Sequence, residues 1–182
     1  ARPVATHALN IFGDHSDVYA CRQTGFAMLC ETNPQEVMDL SPVAHLAAIE
    51  GKVPFLNFFD GFRTSHEIQK VACWDYADLK EMCNMKAVEE FRQHALNPEH
   101  PAARGCGMLQ HREACNRYYD ELPAVVEKYM GKINEKLGTN YQLFNYYGAP
   151  DADRVIIAMG SINDVAEEVI DYMNAHGEKV GL

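Results

Sequence analysis

Apolar blocks separated by short polar turns run along the chain and predict alternating strands and helices. Short, nearly continuous apolar runs are typical of strands covered on both faces, and apolar residues at every third or fourth position predict helices. The predicted strands are 4–11, 26–30, 53–59 and 154–159, with another beginning at Val180. The predicted helices are 17–24, 34–51, 75–83, 86–95, 122–137 and 162–175. This order predicts an α/β fold in which crossover helices connect the strands of a parallel sheet.

The second helix carries the clearest end signals. Thr32 or Asn33 can cap it, and Pro34 suits the first helical position because the missing N–H has no helical partner there. Pro42 lies inside the same window and is expected to kink or divide the helix. His45 falls on the apolar face of the helix, which favours a histidine buried in the core over a metal ligand.

The segment before the first helix combines two carboxylates and an imidazole within 13–17. Asp14, His15 and Asp17 have a spacing that suits a hard cation. The same residues equally suit a helix start with Asp14 or Ser16 as the cap, and we favour this second interpretation.

A dense group of polar residues follows the predicted strand 53–59. In open α/β sheets, ligands collect beyond the carboxyl ends of the strands, so a binding site or a domain contact is expected here. A turn followed by a helix is the alternative, with Thr64 or Ser65 as the cap and Glu67 in the first turn. The candidate site residues of this segment are Asp60, Arg63, Thr64, His66 and Glu67.

A linker is predicted at 148–151, between a first domain over 1–147 and the start of a second βαβ domain over 148–182. In the second domain, the turn at Gly160 and Ser161 could bind an anion through the free N–H groups of a helix start. It lacks the repeated glycines of a nucleotide-binding loop, and Asp164, Glu167 and Glu168 would repel a phosphate, so an ordinary turn is favoured. A long irregular connection is predicted to begin at 97–105.

Charge and composition exclude several classes of function. The formal net charge is −10, which disfavours a nucleic-acid partner because the phosphate backbone repels it. No apolar run approaches the roughly 20 residues that span a bilayer, and the N-terminus lacks a signal-peptide pattern, so we expect a soluble, intracellular protein with no membrane partner.

The cysteines form no C-x-x-C pair, which disfavours a zinc ribbon or an iron–sulfur motif. Cys21, Cys30 and Cys73 lie among apolar residues and are expected to be buried. Cys106 and Cys115 flank a mixed polar stretch, where a reactive thiol stays open.

Several long blocks of the sequence, in the same order, closely resemble pyruvate:ferredoxin (flavodoxin) oxidoreductases. The blocks are 12–29, 43–50, 53–70, 97–101, 148–151 and 177–182. The chain departs from the family at 105–111, where it is a few residues shorter. The resemblance implies the later part of a thiamine-diphosphate enzyme's pyrimidine-binding domain over 1–147, followed by the start of a transketolase-C-terminal-like domain. We therefore expect the chain to be a piece of a larger polypeptide.

The family's chemistry supplies further expectations. The resemblance implies a parent enzyme that converts pyruvate and CoA to acetyl-CoA and CO₂, with thiamine diphosphate, Mg²⁺ and [4Fe-4S] clusters as cofactors and ferredoxin or flavodoxin as the electron acceptor. It also implies a homodimer in the cytoplasm or in an anaerobic organelle. Arg2 matches the family's substrate-carboxylate arginine, and a guanidinium can hold a carboxylate bidentately. The activating glutamate, the diphosphate site and the cluster cysteines match no residue of this chain, so the chain alone is expected to bind no cofactor and to be inactive.

Two alternatives remain at this point. The chain could belong to a related 2-oxoacid:ferredoxin oxidoreductase, or it could stand alone as a non-catalytic assembly or binding module. Apolar surface left uncovered in an incomplete domain should make the isolated chain associate.

Overall fold

The computed structural model describes residues 15–93, 95 and 108–182. The predicted strand 4–11, the loop at 97–105, Arg2, Asp14 and Cys106 lie outside these residues. The helices are α1 Ser16–Cys21, α2 Pro34–Gly51, α3 Tyr76–Met82, α4 Met85–Gln93, α5 Met108–Ala114, α6 Asn116–Leu137 and α7 Ile162–Ala175. The strands are β1 Ala27–Glu31, β2 Phe55–Phe59, β3 Arg154–Val155 and β4 Val180–Gly181.

The chain divides into two compact units. The described residues of the first unit are 15–41, 55–74 and 144–182, and those of the second are 42–54, 75–93, 95 and 108–143. The division falls inside α2. The predicted boundary near 148 stays a prediction.

The first unit contains two parallel strand pairs. β1 and β2 pair from Ala27 opposite Phe55 to Glu31 opposite Phe59, and β3 pairs with β4. Because α2 connects β1 to β2 in parallel, the α/β class with crossover helices is confirmed. Phe58 and Ile170 are among the buried apolar residues of this unit.

The second unit is helical, and α6 supplies much of its core. Buried apolar side chains recur along this helix at Leu122, Val126, Tyr129, Met130 and Ile133. The predicted helix end is confirmed, because Gly138 adopts a left-handed φ of 71° and its N–H donates to Asn134 O at 2.8 Å. The helix begins six residues before its predicted start, since Asn116–Glu121 also belong to it.

The start of α2 confirms the predicted cap. Asn33 Oδ1 accepts hydrogen bonds from the N–H groups of Gln35 and Glu36, both at 3.1 Å. Glu36 Oε2 in turn accepts from Thr32 N at 2.6 Å, so the first turn is held from both directions.

For Pro42 the expected division of α2 is excluded, and the prediction for His45 is wrong. Pro42 does not divide the helix, which is continuous because buried residues such as Val43 and Ala47 on the following turn hold it against its neighbours. His45 is exposed and is not a core histidine.

Gly51 lies at the end of α2 and close to α6. It is the last helical residue, but the left-handed residue that follows is Lys52, with φ of 57°. A Cβ at position 51 would lie 2.6 Å from Leu122 Cδ1, so glycine permits the close approach of α2 and α6.

β2, β3 and α1 begin or end at residues other than the predicted ones. β2 begins at Phe55 because Pro54 has no N–H to give to the ladder. β3 is shorter than predicted because its partner β4 has only two residues, although Ile156 N still donates to Gly181 O at 2.9 Å. α1 ends at Cys21, and its N-cap is His15 without a side-chain bond, so Ser16 is not the cap.

The helix predicted after Thr64 or Ser65 is wrong. Only a 3₁₀ turn, Thr64–His66, forms there, with Arg63 as its N-cap, and Glu67 is already extended. Ser65 Oγ accepts from Phe62 N at 2.8 Å and is therefore occupied within the turn. Among the described residues, no helix is long and apolar enough to cross a membrane.

Candidate functional site

Polar side chains gather in the first unit where β1 and β2 end. Thr32 follows β1 directly and Asp60 follows β2 directly. Because the two strands are parallel, these residues lie at the same edge of the sheet, which is where α/β proteins place their ligands. We call the group His15, Thr32, Asp60, Thr64, Ser161 and Asn163 the strand-end cluster.

Asp60 is the centre of the strand-end cluster. Its Oδ1 accepts a hydrogen bond from His15 Nε2 at 2.6 Å, and its Oδ2 accepts from Ser161 N at 2.7 Å and Ser161 Oγ at 2.6 Å. His15 is 45 residues away in sequence and Ser161 is 101 residues away. One carboxylate therefore joins three distant segments of the first unit.

The electrostatics favour the ionised form of Asp60. Partial burial raises its pKa, but the hydrogen bonds from Ser161 and His15 outweigh burial and lower the pKa below its ordinary value. The start of α7 adds the partial positive charge of a helix N-terminus. The Gly160–Ser161 turn therefore does bind an anionic group, and that group is the side-chain carboxylate of Asp60.

Gly160 is required beside Asp60 for two reasons. Its φ of 85° lies in the left-handed region, and a Cβ at this position would lie 2.7 Å from Asp60 Oδ2. A side chain at 160 would displace the carboxylate from Ser161.

The two threonine hydroxyls of the strand-end cluster bind a backbone carbonyl and a side-chain amide. Thr64 is only 3% exposed, and its Oγ1 donates to Thr32 O at 3.0 Å. Asn163 Nδ2 approaches Thr32 Oγ1 at 3.4 Å. These bonds fasten the 3₁₀ turn and α7 to the end of β1.

Glu31, the last residue of β1, lies beside this cluster and is fully buried. Neither carboxylate oxygen has a hydrogen-bond partner within the described residues. Burial raises the pKa of Glu31 to about 8, although the backbone N–H of Glu31 and the side chain of Asn57 oppose the shift.

The structure separates the residues predicted for this site. Asp60 and Thr64 belong to the strand-end cluster, whereas Arg63, His66 and Glu67 are exposed. His66 Nδ1 lies 3.0 Å from Ser65 Oγ, and its ring stacks obliquely on Phe62 with centroids 5.0 Å apart. The functional role of these residues and of Arg2 stays a prediction.

The hydrogen bonds of the strand-end cluster hold distant segments together, and the cluster is not a nucleophilic triad. Ser161 Oγ donates to Asp60, not to His15, so no base is positioned to take its proton. Within the described ranges no group of three or more His, Cys, Asp or Glu side chains could hold a metal ion.

Cys30 and Cys73 differ in their burial. Cys30 is half-buried, and burial together with Asp60 raises the pKa of its thiol to about 12, which makes it unreactive. Cys73 was predicted to be buried but is exposed, because the segment after the 3₁₀ turn is irregular and lies at the surface.

The second unit has its own polar centre at Glu50. Its carboxylate accepts from Lys128 Nζ at 2.6 Å, Tyr129 OH at 2.6 Å and Asn84 Nδ2 at 3.0 Å. Burial raises the pKa of Glu50, but these three donors outweigh it and lower the pKa to about 2.

A cleft of about 430 Å³ adjoins Glu50 in the same unit. Tyr118 lines it, with Lys52 Nζ 5.7 Å and the Arg117 guanidinium 4.9 Å from the ring centroid. Three basic and three acidic residues share the lining, so the cleft presents no single sign of charge.

His15 and Ser161 were not predicted as partners of Asp60. The sequence places His15 in a possible cation site or cap and Ser161 in a turn, with nothing to link the two. The available signal was topological, because each lies where a predicted strand has just ended and parallel strands bring such positions to one edge.

Comparison with known proteins identifies the family. Residues 1–131 match the family described as "Pyruvate flavodoxin/ferredoxin oxidoreductase, thiamine diP-bdg". The whole chain is 58% identical to the "Pyruvate-flavodoxin oxidoreductase" of Enterobacter agglomerans and 53% identical to the "Pyruvate:ferredoxin oxidoreductase" of Moorella thermoacetica. It is also 47% identical to the "Pyruvate dehydrogenase [NADP(+)]" of Cryptosporidium parvum, again over its whole length.

The chain corresponds to a small part of these relatives. It spans 16% of the two bacterial proteins and 10% of the Cryptosporidium protein. The match over 1–131, the identity over the full chain and the parallel α/β fold agree with one another. The chain belongs to the pyruvate flavodoxin/ferredoxin oxidoreductase family.

Proposed function

We propose that the chain is part of a larger enzyme that oxidatively decarboxylates pyruvate with CoA to acetyl-CoA and CO₂ and passes the electrons to ferredoxin or flavodoxin. The observation that carries the proposal is the identity of 53–58% over the whole chain to relatives named for that reaction. The Cryptosporidium relative is named for pyruvate with NADP⁺. The substrate is therefore common to these names while the acceptor differs, which favours pyruvate chemistry over another 2-oxoacid.

Apart from Arg2, the chain's part in this enzyme is structural support for the thiamine-binding domain. The described residues do not fit a diphosphate with its Mg²⁺, because the N–H and hydroxyl of Ser161 already hold Asp60 and the neighbouring carboxylates are negative. We propose that thiamine diphosphate, when bound, supplies the carbanion chemistry and is held by other parts of the polypeptide. The [4Fe-4S] clusters, the ferredoxin or flavodoxin contact and the dimer interface belong there as well.

Arg2 is proposed to bind the pyruvate carboxylate, on the strength of its match to the family's arginine. The test is Arg2→Lys in the full-length enzyme, with Arg22→Lys as the matched control on an exposed arginine. Loss of the bidentate fork should raise the KM for pyruvate at least tenfold while the control changes it less than twofold. Equal effects of the two substitutions would contradict the assignment.

The exposed residues Arg63, His66 and Glu67 are proposed to contact another domain or subunit of the enzyme. Charge reversal of Arg63 should weaken assembly in sedimentation or lower turnover. If both are unchanged, these residues have no such contact.

The proposed activity is tested by assaying the full-length enzyme and the 182-residue chain side by side. Pyruvate- and CoA-dependent reduction of a low-potential acceptor should be measurable for the full-length protein and absent for the chain. A full-length protein that reduces the acceptor with another 2-oxoacid but not with pyruvate would refute the substrate. Turnover by the chain alone would refute its proposed inactivity.

A further inference from the structure

Phe62, two residues after Asp60, has a strained backbone. Its φ of 70° lies in the left-handed region, which a residue with a bulky side chain rarely adopts. Arg63 N donates to Gly61 O at 2.9 Å across it, so Phe62 is the central residue of a γ-turn of the rare, strained kind with a positive φ. Lys52 also has a positive φ, but it directly follows α2, where that conformation is common. Phe62 ends no helix, so its strain has another cause.

The strained turn does not bury the Phe62 side chain. The ring is 47% exposed, and it stacks on the ring of His66, which is exposed as well. Hydrogen bonds hold the turn, because Ser65 Oγ accepts from Phe62 N at 2.8 Å and Thr64 Oγ1 donates to Thr32 O at 3.0 Å. These bonds maintain an unfavourable backbone conformation that presents an aromatic ring to solvent. Strain of this kind is concentrated at functional sites.

The chain after this turn is exposed, and its backbone groups are available. Every residue of 65–70 is exposed, and Ile68 is exposed completely. Among the described residues, none makes a hydrogen bond with the N–H or C=O groups of 68–71. A strand from a neighbouring part of a protein can pair with such groups.

Both ends of this exposed stretch are fixed to the first unit. The bond from Thr64 to the end of β1 holds the 3₁₀ turn at one end. At the other end, Gln35 on α2 binds Ala72 twice, since its Oε1 accepts from Ala72 N at 2.8 Å and its Nε2 donates to Ala72 O at 3.3 Å. Because the ends are already held, less conformational entropy is lost when a partner binds between them.

The length of the relatives indicates what covers this stretch. The chain spans 16% of the two bacterial relatives, so most of such a polypeptide lies outside it. Another part of the same polypeptide is present at a high effective concentration, which favours it over a separate molecule. Arg63 and Lys70 are exposed and form no ion pair within the part of the chain that the structure describes. A surface with carboxylates beside an apolar pocket would therefore complement this stretch.

We propose that 62–71 is a docking segment for another part of the same full-length polypeptide. Phe62 and Ile68 enter an apolar pocket that is bordered by carboxylates, and the backbone of 68–71 pairs with the same surface. Aromatic side chains at the centre of an interface contribute much of its binding energy, so Phe62 is the main anchor. The inference deepens the domain contact proposed above for this region, and it rests on the proposal that the chain is part of a larger enzyme.

Photo-crosslinking of the full-length polypeptide identifies the partner. With p-benzoylphenylalanine in place of Phe62, the cross-link should join position 62 to a peptide outside the 182-residue chain, and the product should keep the mass of one polypeptide on a denaturing gel. The same probe in place of Phe91, which is 71% exposed in the second unit, should not label that peptide. A product of twice the mass would assign a second copy, and a product with added ferredoxin or flavodoxin would assign the electron acceptor. Either product, or no cross-link outside the chain, would overturn the proposal.

Hydrogen exchange measured by mass spectrometry on the same polypeptide gives an independent readout. The amides of 68–71 should be protected, although no described residue accepts from them. Phe62→Asp and Ile68→Asp should each speed their exchange about tenfold, as expected when an interface anchor is lost. Phe91→Asp is the matched control and should leave this exchange unchanged.

The exchange experiment also separates undocking from unfolding. Exchange in β1 and β2 should be the same in all three variants, because the substituted side chains are exposed. Fast exchange of 68–71 in the unsubstituted polypeptide, or no effect of Phe62→Asp and Ile68→Asp, would overturn the proposal. Neither measurement needs pyruvate or electron transfer, so a failure of the proposed reaction would leave both results unaffected.

Discussion

The two units place glutamates in opposite surroundings. In the second unit, Glu50 has a lysine, a tyrosine and an asparagine around its carboxylate, and its pKa falls to about 2. In the first unit, Glu31 is fully buried, neither of its carboxyl oxygens has a hydrogen-bond partner among the described residues, and burial raises its pKa to about 8. The residue type is the same, so its surroundings decide the charge.

Asp60 stands between these two cases. It shares burial in the first unit with Glu31 and multiple donors with Glu50, but its donors are a serine and a histidine instead of a lysine. Burial raises the pKa of Asp60, but the hydrogen bonds from Ser161 and His15, together with the charge of His15, lower it below its ordinary value without a lysine partner. The comparison predicts that loss of donors matters more than loss of formal charge.

The largest effect is expected for Glu50→Ala. Removal of the carboxylate leaves Tyr129 OH and Asn84 without their acceptor and Lys128 without its counter-ion, which should cost about 3 kcal/mol of unfolding free energy. Urea denaturation measures the loss. Glu50→Gln retains the shape and one acceptor and should cost less than half as much, and equal losses would show that charge alone matters.

Asp60→Ala should cost about 2 kcal/mol, because Ser161 N, Ser161 Oγ and His15 Nε2 all lose their acceptor. Exchange protection at the start of α7 should fall along with the overall stability. Ser161→Ala removes one of the donors and leaves the His15 bond, so it should cost about half as much. If it costs as much as Asp60→Ala, the histidine bond contributes nothing.

Acid stability should distinguish Lys128 from the neutral donors of Glu50. Because the pKa of Glu50 is lowered, its contribution is present above the ordinary value of 4.5 and is lost as pH falls toward 2. Lys128→Met should move this loss to higher pH and lower stability near neutrality by about 1 kcal/mol. Thermal unfolding between pH 2 and pH 6 measures it, with Lys132→Met as the control on the same helix. If the loss of stability at low pH is the same in Lys128→Met as in the unsubstituted protein, the hydrogen bonds from Tyr129 and Asn84 are sufficient to lower the pKa of Glu50.

The smallest effect is expected for Thr64→Val, which removes one buried hydroxyl donor to Thr32 O while it preserves shape. The loss should be about 1 kcal/mol. Thr64→Ser, which retains the hydroxyl donor and removes only the methyl group, serves as the reference. A larger loss for Thr64→Val than for Asp60→Ala would contradict our expectation that the hydrogen bonds of Asp60 contribute more to stability than that of Thr64.

Much of the fold could be predicted because local signals agreed with it. Asn33 and Pro34 begin a helix, Gly138 ends one, and α7 has the predicted bounds because its apolar period is intact. Errors arose where packing outweighed a local preference. Pro42, which was expected to kink or divide its helix, lies inside a continuous one.

The candidate site was harder to predict, since its members come from distant segments. The sequence indicated Asp60 and Thr64 through their place after a strand, but Arg63, His66 and Glu67 shared that signal and are exposed. No local pattern says that Ser161 will donate to Asp60 across 101 residues.

By itself, the sequence determined the family, the α/β class and most of the helices, because these depend on local propensity, on periodicity and on long blocks of matching residues. Only the tertiary structure decided which carboxyl groups are charged. Ionisation depends on the donors and the burial that distant segments bring to each group, and for Glu31, Asp60 and Glu50 those segments differ.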